Sequence, residues 1–179
     1  MTDADEPAAR ARPDGIREEQ VAPTSGLRRH ASPLSLAVFG SVIVLGLTGV
    51  LGHERDWRSE SEGLGLTVHS SEVIRNGEIF EIRITIEANH AVEGLAIGVD
   101  QALWEDMTVN TMIPAAAEET AENGEFRFGF GPMEAGTTFD LKVDLQVNPD
   151  IVGGNDGAVT VYDAETLITT VDIGITVLP

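Results

Sequence analysis

The 179-residue chain is expected to be an all-β protein, an antiparallel sandwich of seven or eight strands preceded by one transmembrane α-helix and a disordered N-terminal tail. Three observations predict this. Residues Ala31 to Gly52 carry no charged side chain. From Leu64 onward, apolar and polar residues alternate with period two, the signature of strands with one buried and one wet face. Between those runs lie turn-forming pairs and no helical pattern of useful length.

Residues 1–30 contain six acids and five arginines, with Pro7, Pro13, Gly15, Pro23 and Gly26 among them. Such a composition buries no core, so the stretch reads as a disordered cytoplasmic tail. The apolar run that follows reads as a membrane span over 31–52. At 1.5 Å per residue its 22 residues cover about 33 Å, enough for a hydrocarbon layer of about 30 Å. Eleven of the 18 residues from Leu34 to Leu51 are Leu, Ile, Val or Phe, and each favours insertion by about 0.3–0.6 kcal/mol. The rival readings are a cleaved signal peptide and a buried core helix. The long start and extended apolar region argue against the first. The lack of a polar face, beyond Ser35, Ser41 and Thr48, argues against the second.

Orientation follows from Arg28 and Arg29, which abut the run, whereas Arg55 and Arg58 beyond it are interleaved with Glu54, Asp56, Glu60 and Glu62. Basic residues beside a span are retained in the cytoplasm. The N-terminus is therefore placed inside and the C-terminal domain outside the cytoplasmic membrane. Trp57 is read either as an indole resting among lipid headgroups or as an incidental linker aromatic. Within the span, Ala37, Ser41, Thr48 and Gly52 fall on one helical face, a candidate docking face because small residues let a second helix approach closely. The bland alternative is that small residues are common in spans.

Residues 53–63, HERDWRSESEG, read as a charged linker. The sandwich is expected over 64–179, a size suited to one domain with one core. Its clearest strands set Phe80, Ile82, Ile84 and Ile86 against Glu81, Arg83, Thr85 and Glu87. Phe126, Phe128 and Phe130 alternate with Arg127 and Gly129. Phe139 to Val147 and Val171 to Val177 follow the same rule. Weaker strand candidates are Leu66–Val73, Leu95–Asp100, Met107–Met112, Val159–Tyr162 and Thr166–Thr170. Turn pairs include Asn76-Gly77, Asn123-Gly124, Ala135-Gly136, Gly153-Gly154 and Asp156-Gly157. PAAAEETAENG, starting at Pro114, reads either as a short helix or as a long loop.

The order of these features, an NGE turn before a long alternating strand and later NGEFRFGFGPMEAGTTFDLKVDLQVNP, resembles the bacterial extracytoplasmic immunoglobulin-like modules of the CARDB type. The likeness covers roughly Thr67 to Pro149. It implies an immunoglobulin-like sandwich acting as a spacer, adhesive or partner-binding unit. The segment WEDMTVNTMIPAAAEE departs from the general pattern of such modules.

Composition narrows the chemistry. The chain holds no cysteine, so no disulfide, thiol nucleophile or lipidated cysteine is possible. Residues 63–179 carry 20 acids against Arg75, Arg83, Arg127 and Lys142, a net charge of −16. That field disfavours nucleic acid and admits a basic partner. His69 and His90 stand outside any zinc motif, no GxSxG elbow exists, and phosphate-cradling glycine motifs are absent. No catalytic, cofactor-binding or metal residue is assigned and no cofactor is expected. Loop oxygens of Asp150, Asn155, Asp156 and Asp163 are weighed as calcium ligands against plain turn formation.

One segment stands apart, Leu103 to Glu119, where Trp104, Asn110, Met112, Pro114, Glu118 and Glu119 make a candidate interaction surface. Trp104 alternatively fills the sandwich core. The expectation is a non-enzymatic accessory or partner-binding protein, in contact with the lipid bilayer through 31–52 and with another membrane or envelope protein. The competing reading is an envelope glycan or ligand binder, with or without calcium.

Overall fold

The computed structural model describes residues 26–49, 52–148 and 153–179, with side chains from Pro33 onward. Two compact units meet in the sequence between Leu45 and Gly46. The helix α1 spans Gly26–Leu47, so it starts and stops earlier than the expected 31–52. It stops because Gly49 takes a positive φ of 73°, a left-handed turn that glycine adopts without a Cβ penalty. The Gly49 N–H donates to the Gly46 carbonyl at 3.3 Å. The remaining residues of the expected tail, 1–25, lie outside the described residues. Among the described residues, no helix is long and apolar enough to cross a membrane.

The second unit is a two-sheet β-sandwich. Its strands are β1 (Glu54–Ser61), β2 (Leu64–Ser71), β3 (Val73–Arg75), β4 (Ile79–Ala88), β5 (Val92–Asp100), β6 (Met107–Ile113), β7 (Glu118–Glu122), β8 (Glu125–Met133), β9 (Thr137–Val147), β10 (Gly153–Asp163) and β11 (Thr166–Leu178). One sheet has the order β1-β2-β4-β9-β6 and the other β3-β11-β10-β5-β8-β7. The pairings are antiparallel except that β3 runs parallel to β11, so the second sheet is mixed rather than wholly antiparallel.

The period-two pattern decides which faces meet. On β4, Phe80, Ile82, Ile84 and Ile86 are buried, and on β9 Leu141, Val143, Leu145 and Val147 are buried. In register Ile82 opposes Val143 and Ile84 opposes Leu141. From the other sheet, Ile97, Val99, Phe128, Val161, Ile173 and Ile175 close the same core.

Eleven described strands replace the seven or eight expected, and the three unforeseen ones, β1, β3 and β7, are all edge strands. Residues 53–63, read as a linker, supply β1, which pairs with β2 along its whole length. Trp57 is the reason: it is buried in the core and not free to reach lipid headgroups. Around it, Arg55 pairs with Glu72 at 2.7 Å. His69 Nδ1 lies 2.6 Å from Asp56 Oδ1, and this hydrogen bond holds the Asp56 carboxyl below its ordinary range. The hairpin β1–β2 turns through Glu62 and Gly63, both at positive φ, a pair whose first member is not a usual turn former.

The short helix considered after Pro114 is absent. Residues Glu118–Glu122 form β7, because Asn123 and Gly124 both take positive φ, as a two-residue hairpin turn onto β8 requires. Asp156-Gly157, expected as a turn, lies inside β10. Gly157 is needed there for contact, since a Cβ on it would sit 2.8 Å from the Leu103 Cβ. Leu103 belongs to the single 3-10 turn among the described residues, Gln101–Trp104.

Gly157→Ala therefore overpacks the strand against that turn. The expected outcome is a loss of about 1–3 kcal/mol in urea-induced unfolding, and unchanged stability would contradict the close approach.

Candidate functional site

The alternation that turns Phe126, Phe128 and Phe130 inward turns Glu125, Arg127, Gly129 and Gly131 outward on β8. Its neighbour β5 presents Gly94, Ala96 and Gly98 to the same outer face. Two adjacent strands thus carry almost no side chains on that face, and the result is a trough of about 510 Å³ lined by residues of both. Glu118 and Glu122 of β7 border it on one side, and Ala164 and Glu165 of the β10–β11 turn border it on the other. Gly129 faces Glu118 across the β7–β8 ladder, and the spot where its Cβ would be lies 3.6 Å from the Glu118 Cβ.

Beside the floor, four side chains lock together. The Arg127 guanidinium lies over the Tyr162 ring, 3.9 Å from its centroid. Arg127 also donates to Glu125 at 3.3 Å and to Glu165 at 3.0 Å. The Tyr162 hydroxyl donates to the second Glu125 oxygen at 2.9 Å. Gly98 makes room for this arrangement, because a Cβ there would come within 2.5 Å of the Glu125 carboxyl carbon. Burial lowers the proton affinity of Arg127, but its hydrogen bonds to Tyr162 and Glu125 outweigh that and leave its pKa above the ordinary value. Burial, then the hydrogen bond to Glu125, pushes the Tyr162 phenol upward against the opposing pull of Arg127. Among the described residues, the only cation bordering the trough is thus engaged by two carboxylates, and the rim remains negative.

The segment expected to form an interaction surface is divided between the two sheets. Trp104 is buried, 6% exposed, and packs on Phe126 and Phe128 with ring centroids 6.3 and 5.7 Å away. It belongs to the core, its indole N–H buried without a hydrogen-bond partner. Met112 is half-buried against the same core. Asn110 is exposed on β6, at a bulge between Val109 and Thr111. Pro114 is exposed just past β6, and Glu118 and Glu119 are exposed on β7. Of these six, Glu118 alone borders the trough.

The expected helix-docking face is shortened. Ala37 and Ser41 remain on α1, with the Ser41 hydroxyl donating to the Ala37 carbonyl at 2.8 Å. Thr48 and Gly52 lie beyond the end of the helix at Leu47. Two of the residues weighed as calcium ligands bond to backbone groups. Asn155 donates to the Glu105 carbonyl at 2.7 Å, and Asp163 accepts from the Gly94 N–H at 3.0 Å. Asp150 lies outside the described residues. No group of three or more His, Asp or Glu side chains among the described residues is placed to hold a metal ion.

No protein-family model matches the chain. No curated protein matches it either. Among solved structures, it is similar to CaCohA2 from Clostridium acetobutylicum in solution, with a TM-score of 0.45, 19% identity, and coverage of 66% of this chain and 93% of that one. It is also similar to a chain in the crystal structure of the CaDoc0917–CaCohA2 complex at pH 5.5, with a TM-score of 0.40, 18% identity, and coverage of 58% of this chain and 92% of that one.

The chain contains one tyrosine, so absorbance at the phenolate band reports Tyr162 alone. Its folded pKa is raised above the unfolded value of about 10. Its contribution to stability is therefore present in full below about pH 10 and lost as pH rises through the folded value. Titration of the native chain is expected to ionise the phenol above pH 10 and to return it to about 10 in concentrated urea. In Tyr162→Phe this component of the alkaline loss of stability disappears. A native phenol that ionises at or below its unfolded value would refute the described environment.

Proposed function

We propose that this chain is a membrane-anchored, non-enzymatic accessory protein that holds an acidic β-sandwich outside the cytoplasmic membrane and binds a partner protein along the trough over β5 and β8. The observation that carries the reading is the trough itself. A glycine and alanine floor lets a partner segment lie close to the sheet, and the carboxylates of Glu118 and Glu122 favour one that bears lysine or arginine. The side chains beside the floor are engaged with one another, an arrangement suited to a fixed recognition face.

One feature supports the anchor. Large apolar side chains of α1, among them Leu34, Leu36, Phe39, Ile43 and Leu47, are all exposed, which is costly in water and favourable in hydrocarbon. Between α1 and β1 the connecting residues 48–53 span about 20 Å at full extension. A head on so short a tether works close to the bilayer. Its partner on this reading is another membrane or envelope protein.

Alkaline carbonate washing is expected to leave the full-length chain with the membrane, and protease added to intact spheroplasts is expected to degrade the sandwich. In mild detergent a partner should co-purify in fixed stoichiometry, and Glu118→Lys together with Glu122→Lys should lower its recovery about tenfold or more. Release by carbonate overturns the anchor. Undiminished recovery by the double variant overturns the trough as the binding face.

A further inference from the structure

A sheet edge exposes unpaired backbone N–H and carbonyl groups, and proteins blunt such edges with charge, shortness or bulges. Three of the four edges of this sandwich are blunted by the first two devices. β1 carries Glu54, Arg55, Asp56, Arg58 and Glu60, β3 has three residues, and β7 is three-fifths glutamate. The fourth differs. β6, MTVNTMI, is seven residues long without a charge, pairs among the described residues only with β9, and leaves Val109 and Ile113 exposed by 42% and 59%. The bulge at Asn110 bends it without adding a charge.

Neutrality has a particular meaning in a head whose net charge is −16 over residues 63–179. A foreign strand drawn to this surface would be met best by an acidic edge such as β7. A second copy of the chain meets β7 with glutamate against glutamate, but meets β6 with no charge on either side. A two-fold contact repeats every residue on both partners, so a strand free of charge suits self-pairing. We infer that β6 is a self-association edge, pairing antiparallel with β6 of a second copy so that the two five-stranded sheets continue into one.

The charge distribution supplies a signature. The neutral strands attract while the acidic heads around them repel, so salt, which shortens the Debye length from about 10 Å at 0.1 M to about 3 Å at 1 M, strengthens the dimer. Binding to a basic partner weakens under the same change. Sedimentation equilibrium of the full chain in mild detergent is expected to show the dimer fraction rising from about 0.05 to about 0.5 M salt. Asn110→Glu places a carboxylate at the exposed bulge of both copies, adds to the repulsion between the acidic heads, and is expected to weaken association about tenfold. Its far-UV spectrum and melting temperature report that the sandwich still folds.

Because the chain has no cysteine, single substitutions give a clean cross-linking readout. Asn110→Cys, at the centre of β6 and so opposite its own copy in a two-fold antiparallel pair, is expected to form a disulfide dimer, and Thr120→Cys on β7 is not. A monomer at every salt concentration overturns the inference. So does a dimer that is indifferent to Asn110→Glu and cross-links no better through β6 than through β7, which would assign association to α1. A dimer that dissociates as salt rises also overturns it.

Discussion

The antiparallel pairing of β4 with β9 is the constraint on which the sandwich rests. It aligns Phe80, Ile82, Ile84 and Ile86 with Leu145, Val143, Leu141 and Phe139, and a slip of one residue would turn all of them to solvent. With that register set, the opposite sheet has one way to cover the apolar layer, and β5, β8, β10 and β11 supply Ile97, Phe128, Val161 and Ile175 from their inner faces. The outer face is released from the work of burial. Only because Phe126, Phe128 and Phe130 satisfy the core on one side of β8 is the other side free to carry an arginine and two glycines.

That freedom explains how a flat sheet acquires a recess. Glycine weakens a strand by the entropy it loses and by the contact it fails to make, yet Gly94, Gly98, Gly129 and Gly131 sit on two adjacent strands of one sheet. Gly98 is occupied from above by the Glu125 carboxylate, which in turn fixes Tyr162 and Arg127. Gly94 lies in ordinary contact with Ala164 and Gly129 with Glu118, and Gly131 is open. Together they make one half of the outer face a rigid hydrogen-bonded block and the other half a shallow channel, with acidic side chains on the rim.

How much of this was legible in the sequence divides along a physical line. Strands with one face buried announce themselves by alternation, and β4, β8, β9 and β11 were readable for that reason. Edge strands are wet on both faces or too short to show a period. β7 is exposed along its whole length, β3 has three residues, and β1 buries Trp57 among charged neighbours. The trough left a fainter trace, small residues at alternate positions of two strands. That pattern becomes a signal only once β5 and β8 are known to be adjacent, which no local pattern states. Trp104 carried two readings, surface and core, because its type is common in both places, and its stacking on Phe126 and Phe128 assigns it to the core.

Trp57 has a mechanical consequence. It lies a few residues into the folded head, on the strand that leads directly from the segment following α1. Any tension passing along the chain from that side reaches the indole before it reaches the hydrophobic layer built by β4 and β9. Extracting β1 would require pulling a large aromatic group out of its socket along with the ladder to β2. The first strand thus works as a built-in clasp at the N-terminal side of the globular part.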